Sequence, residues 1–140
     1  MDENEVEKLI AAAQEARLRA YCPYSGFAVG AALLGEDGEI YQGCNVENAA
    51  YPATNCAERT ALFTAVAAGC RRFRAIAVVG GPQGQDAQEI CPPCGLCRQT
   101  LAEFCEPKEF YVVLCSAQER LVLTLDELLP VRFGAEGLPQ

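Results

Sequence analysis

The stretch from Arg74 to Cys115 constrains the fold more than any other part of this sequence. Arg74-Ala75-Ile76-Ala77-Val78-Val79 and the run Phe110 to Cys115 are short and apolar, and Gly95 to Phe104 between them has helical character. Strand, helix and strand in that order predict a parallel pair of strands joined by a right-handed crossover. The chain is therefore expected to build a sheet with helices on its faces.

The flanking segments extend that unit. Val6, Leu9, Ile10 and Ala13 follow helical spacing, with acidic residues leading and Arg17 and Arg19 trailing, which suits the dipole of a first helix. After Pro23-Tyr24-Ser25-Gly26, the runs Phe27 to Leu34 and Glu39 to Asn45 flank Gly35-Glu36-Asp37-Gly38 and read as a hairpin. A helix should run from about Cys56 to Ala68 and stop at Gly69, and Gly80 to Ile90 reads as a polar loop. Leu121 to Thr124 makes a further short strand. Thr124-Leu125-Asp126-Glu127 is a capping box opening a helix that Pro130 ends. The order α-β-β-α-β-α-β-β-α predicts an α/β fold with a mixed sheet. No linker, repeat or low-complexity tract interrupts it, so residues 1–140 are expected to form one domain.

Composition narrows the chemistry. The chain has no histidine and nine cysteines. Proton transfer must fall to Glu, Asp, Lys, Tyr or Cys, and a soft metal must be held by thiolates, with or without a carboxylate. A formal charge of −8 disfavours nucleic acid and anionic membrane surfaces as partners. The acidic start Met1-Asp2-Glu3-Asn4-Glu5 does not resemble a signal peptide, no apolar run reaches the length of a membrane span, and most cysteines sit in apolar runs. These features set the reducing cytoplasm as the expected compartment.

Two segments place cysteine just before a helix: Asn55-Cys56-Ala57-Glu58-Arg59 and Pro92-Pro93-Cys94-Gly95-Leu96-Cys97-Arg98-Gln99. Cys94 and Cys97 have the spacing at which two thiolates of a first helical turn converge on one ion. A redox pair, or cysteines that merely fill a core, would show the same spacing. Three thiolates leave a divalent ion with net negative charge, and Arg59, Arg98 and two helix N-termini stand ready to offset it. A fourth cysteine such as Cys91 could close the coordination. Glu58 is either the proton acceptor of an open metal site or an ordinary first-turn glutamate. It can converge with Cys56 only if Cys56 lies at the helix cap, outside helical dihedrals.

Cys-Ala-Glu-Arg followed by Pro-Cys-Gly-x-Cys-Arg-Gln resembles the zinc signature of the cytidine deaminases, specifically their small, homotetrameric, three-cysteine class. The resemblance extends in order through Ala20 to Leu33, Gly43 to Pro52, Phe73 to Ala77 and Glu127 to Gly134. It implies a three-layer α-β-α cytidine deaminase-like fold with a five-stranded mixed sheet. It also implies one Zn²⁺ per chain on Cys56, Cys94 and Cys97, with Glu58 carrying protons as water displaces the amine at C4 of cytosine. The substrates implied are cytidine and 2'-deoxycytidine.

By the same resemblance, Arg59 and Arg98 would donate to the thiolates and keep the metal electrophilic. Asn45 and Glu47 would bind the ribose hydroxyls, Tyr51 would line the sugar pocket, Phe27 would pack on the base and the Ala57 backbone would meet the ring's polar edge. Phe133 would reach a neighbouring subunit's site, which ties activity to a homotetramer. A deaminase of a cytosine-bearing antibiotic is the nearest alternative chemistry, and a zinc-stabilised binding module or a thiol redox protein the alternative in kind.

Overall fold

A computed structural model describes Met1–Pro139; Gln140, the last residue of the expected domain, lies outside the described residues. Helix α1 (Glu3–Arg17) begins where the Asp2 side chain accepts from Glu5 N and carries Glu3 and Glu5 in its first turn. Then follow β1 (Phe27–Gly35), β2 (Ile40–Cys44), α2 (Ala57–Ala67), β3 (Phe73–Pro82), α3 (Gly95–Ala102), β4 (Tyr111–Cys115), β5 (Arg120–Thr124) and α4 (Leu125–Leu128). The expected order of elements is the observed one. Thr124 and Glu127 form the anticipated capping box, each side chain bonding the other's backbone N–H.

The five strands lie in the order β2-β1-β3-β4-β5. β3 and β4 are parallel, with Ala75 opposite Tyr111 and Val78 opposite Leu114. The β1–β2, β1–β3 and β4–β5 pairs are antiparallel, so the sheet is mixed.

Alternation along the strands splits the core in two. Ala31, Leu33, Ile76, Val78, Val112 and Leu114 face α2, α3 and α4, with Ala61, Leu62, Leu101 and Leu125 packed on them. Ala32, Leu34, Ala75, Ala77, Val79 and Val113 face α1, where Val6, Leu9, Ile10 and Ala13 cover them. The three layers are thus α1, the sheet, and the α2–α3–α4 side. Among the described residues, no helix is long and apolar enough to cross a membrane.

The boundary that departs furthest from expectation is the end of β3. β3 continues past Val79 through Gly80 and Gly81 to Pro82, pairing with Val29, Ala28 and Phe27. The Gly-Gly-Pro sequence looks like a breaker, yet the strand persists because the antiparallel partner β1 supplies its hydrogen bonds across the whole length.

Both helical layers approach the hairpin closely through glycine. A Cβ on Gly30 would lie 2.8 Å from Arg17 Cβ, and one on Gly43 would lie 2.6 Å from Ala57 O. Helix α2 therefore rests backbone to backbone on β2, which sets the position of its first turn. Gly43→Ala is expected to destabilise the protein by about 1–3 kcal/mol in urea unfolding, since neither neighbouring backbone can yield without moving the helix. Unchanged stability would mean that α2 is free to shift.

Candidate metal centre and active site

Cys56 is the N-cap of α2, with φ −72° and ψ 154°, and Cys94 is the N-cap of α3, with φ −67° and ψ 167°. Both thiols therefore stand at the positive end of a helix, outside the helical dihedrals. Cys97, on the first turn of α3, completes the cluster. The three Sγ atoms lie within 4.8 Å of one another, and those of Cys94 and Cys97 are 3.4 Å apart. Among the described residues, Cys91 does not belong to this group, and a divalent ion held by three thiolates would have room for a further ligand.

The electrostatics of the donor set fit a cation. A hydrogen bond from Cys97 holds the Cys56 thiol down at about 5, aided by Arg59, while the same contact and burial push Cys97 up. Without a metal the cluster thus concentrates negative charge on one sulfur. A soft divalent ion is what lets all three ionise together.

Arg59 follows Cys56 by three residues and so shares its helix face. Its Nη2 donates to Cys56 Sγ at 3.3 Å, and its buried Nε has no hydrogen-bond partner. Arg98 behaves differently from the expectation that it would donate to the thiolates. Its Nε donates to Pro93 O at 2.8 Å and its Nη1 to Leu128 O at 2.7 Å. Successive helix residues point about 100° apart, so the turn that aims Cys97 at the cluster carries Arg98 away from it. Arg98 instead ties the loop before Cys94 to the end of α4.

Glu58 is only 5% exposed. Burial pushes its carboxyl up to about 7; its own backbone N–H pulls the other way, and the neighbouring Cys56 charge adds to the rise. Cys91 lies near enough for Glu58 to act on it electrostatically. Its thiol is pushed up to about 11, mainly by burial, and stays protonated near neutrality.

The remaining expected residues surround this centre at different depths. Phe27, at the start of β1, has its Cε2 3.1 Å from where a Cβ on Gly80 would stand, beside Cys91. Asn45 is 8% exposed; its Oδ1 accepts from Val29 N at 2.9 Å and its Nδ2 donates to Phe27 O at 2.8 Å. Glu47 Oε1 accepts from Tyr24 N and Ser25 N at 3.0 and 3.1 Å, and Oε2 accepts from Ser25 Oγ. These bonds hold its carboxyl below the usual range.

Tyr24, Ser25, Glu47, Tyr51 and Thr54 line one cleft, in which the Tyr24 and Tyr51 rings meet edge to face with centroids 6.4 Å apart. Ala57 is fully buried at the start of α2. Phe133 is 66% exposed, on a tail held where its carbonyl accepts from Gln99 Nε2. Sequence reasoning missed the backbone duties of Asn45 and Glu47, because a side-chain amide bonded to a neighbouring strand leaves no pattern in the chain.

Three thiols at the N-termini of two helices, with a buried carboxyl next to them, define a candidate metal centre. Residues 3–114 match the cytidine and deoxycytidylate deaminase zinc-binding region, and the chain belongs to that family. Zinc is accordingly the cofactor, and the cluster of Cys56, Cys94 and Cys97 fits one such ion. The chain is 51% identical over 134 residues to a cytidine deaminase of Sporosarcina psychrophila, covering 96% of this chain and 95% of that one. It is 50% identical over 133 residues to one of Halalkalibacterium halodurans, covering 94% and 96%. The crystal structure of a cytidine deaminase from Burkholderia pseudomallei superposes with a TM-score of 0.82 at 49% identity, covering 95% of this chain and 100% of that one.

In the metal-free protein, Glu58 binds its proton more tightly than in the unfolded chain. That stabilisation is complete below 4.5 and is lost as pH rises through about 7. Metal-free Glu58→Gln escapes the loss. Its stability relative to wild type should rise between about pH 4 and pH 8 by on the order of 3 kcal/mol, read by urea unfolding. An equal difference at both pH values would show that burial does not perturb Glu58.

Proposed function

We propose that this protein hydrolyses cytidine and 2'-deoxycytidine to uridine and 2'-deoxyuridine, releasing ammonia, as a pyrimidine-salvage enzyme of the cytoplasm. The observation that carries the reading is Glu58, a 5% exposed carboxyl beside three clustered thiols in a chain of this family.

Cys56, Cys94 and Cys97 would hold the zinc, which when bound lowers the pKa of water and so supplies a nucleophile near neutral pH. Glu58 takes a proton from the attacking water on one carboxylate oxygen and delivers it to N3 of the cytosine ring. It then helps protonate the amino group leaving C4, so that the water oxygen stays on the ring and nitrogen departs as ammonia. A carboxyl raised towards 7 can both accept and return a proton near neutrality. Arg59 steadies the Cys56 thiolate through its 3.3 Å hydrogen bond.

Hydrogen-bonding capacity supports a sugar-binding role for Asn45 and Glu47. An amide offers two N–H donors and two lone pairs, and Asn45 spends one of each on β1. Glu47 spends three acceptor sites on Tyr24 and Ser25, which leaves capacity on Oε2 for a hydroxyl. Phe27 packs on the base, Tyr51 walls the sugar, and the N–H of Ala57 meets the polar edge of the ring.

The exposed Phe133 completes a neighbouring subunit's site in a homotetramer, each subunit being a single domain over residues 1–140. Nucleic acid and membranes are not partners in this reading, consistent with a net charge of −8.

Purified protein carrying one zinc per chain should convert cytidine and deoxycytidine, followed by the loss of cytidine absorbance; unchanged absorbance would overturn the proposal. Glu58→Gln should lower kcat by about 10²–10⁴ while retaining zinc, and loss of the metal instead would mean that Glu58 serves the metal site. Light scattering coupled to the assay should find activity only in the tetramer; a fully active monomer would sink the shared-site assignment.

A further inference from the structure

Arg17 is the last residue of α1, and among the described residues its guanidinium meets no carboxylate. All three of its nitrogens donate to backbone carbonyls instead. Nε donates to Ala28 O at 2.9 Å, Nη2 to Pro82 O at 2.9 Å and Nη1 to Gln85 O at 2.8 Å. These carbonyls come from the start of β1, the end of β3 and the loop that follows. They bracket the final rung of the β1–β3 ladder, where Phe27 pairs with Pro82 and Gln83 N donates to Gly26 O at 2.8 Å.

The base of the fork is itself anchored, because α1 packs on β1 at Gly30 with no room for a side chain between them. Alternation along β3 then separates two environments. A Cβ on Gly81 would lie 3.1 Å from Arg17 Nη2, whereas one on Gly80 would lie 2.8 Å from Cys91 Sγ and 3.1 Å from the Phe27 ring. The fork and the Phe27 ring therefore stand on opposite faces of the same sheet end, one residue apart along each strand.

We infer that Arg17 is a positioning residue for substrate binding: its three-carbonyl fork fixes the β1–β3 sheet end from behind, and so fixes the Phe27 ring in front of it. This rests on the proposed role of Phe27 against the cytosine base. An ammonium cannot reproduce the fork, since Lys presents a point charge on a flexible stem where Arg presents a planar set of donors. The sheet end would then lose two or three of its ties while keeping the positive charge. None of the fork's three bonds goes to Glu58 or to the thiols of Cys56, Cys94 and Cys97, so binding rather than chemistry should suffer.

The test is steady-state kinetics on the zinc-loaded, full-length protein, with zinc content and thermal midpoint recorded for each variant. Wild-type turnover of cytidine in the same assay tests the proposed reaction itself, independently of Arg17. Arg17→Lys is expected to raise KM for cytidine about five- to tenfold with kcat within about twofold of wild type, the signature of lost binding shared by ground and transition states. Gly81→Ala, whose Cβ would lie 3.1 Å from Nη2 and 3.0 Å from the Ala87 backbone, crowds the fork from the strand side and should raise KM in the same direction by a smaller factor.

A KM equal to wild type in both variants, or an equal fall in kcat and kcat/KM, would overturn the inference. So would an Arg17→Ala variant that loses affinity while Arg17→Lys keeps it, since the charge and not the fork would then be what matters. Should Arg17→Ala fail to fold, Arg17→Lys and Gly81→Ala decide the question between them.

Discussion

Everything chemical in this protein depends on how closely α2 can approach β2. Gly43 lets the backbone at Ala57 and Ala61 settle directly on the strand, and that contact fixes the first turn of α2. Cys56 caps this turn, Glu58 lies within it and Arg59 closes it. Helix α3 then needs only to bring its own cap, Cys94, and its first-turn Cys97 to the same point. The centre is a meeting of two helix N-termini, and the sheet is the surface on which they meet.

That geometry resolves a conflict of charge. Three thiols and a carboxyl are crowded together; the Cys56–Cys97 hydrogen bond drives Cys56 down and Cys97 up, and burial raises Glu58. Two helix dipoles and the Arg59 guanidinium offset part of the negative charge, and a bound divalent ion would offset the rest. Cys91, close by but protonated, keeps the neighbourhood from becoming more anionic. With no histidine in the chain, Glu58 is the one buried carboxyl among the described residues.

Much of the fold was legible because its signals are local. The parallel β3–β4 pair followed from strand, helix and strand in order, and the Thr124 capping box from four residues. The three cysteines that cluster were legible from spacing together with resemblance to a family. The Cys56 cap was legible by elimination, since two residues separated by one on a helix cannot converge unless the first lies outside it. Arg98 was misread because nearness in sequence to Cys97 says nothing of direction; the turn that aims one residue at the metal aims the next elsewhere. The end of β3 was misread because Gly-Gly-Pro breaks an isolated strand, whereas an antiparallel partner sustains it.

The sequence alone determined the helices and strands, the exclusion of histidine chemistry and the identity of the thiol and carboxyl groups. These depend on residue type and on spacings of one to four positions, which the chain carries with it. Only the tertiary structure decided which thiols share one point, that Cys91 stands apart from them, and that Asn45, Glu47 and Arg17 are bound to distant backbone. Those outcomes turn on pairings between β1 and β3 and between helices and glycines far apart in the chain. Such contacts are selected by packing and hydrogen-bond satisfaction across the whole sheet, and no local pattern records them.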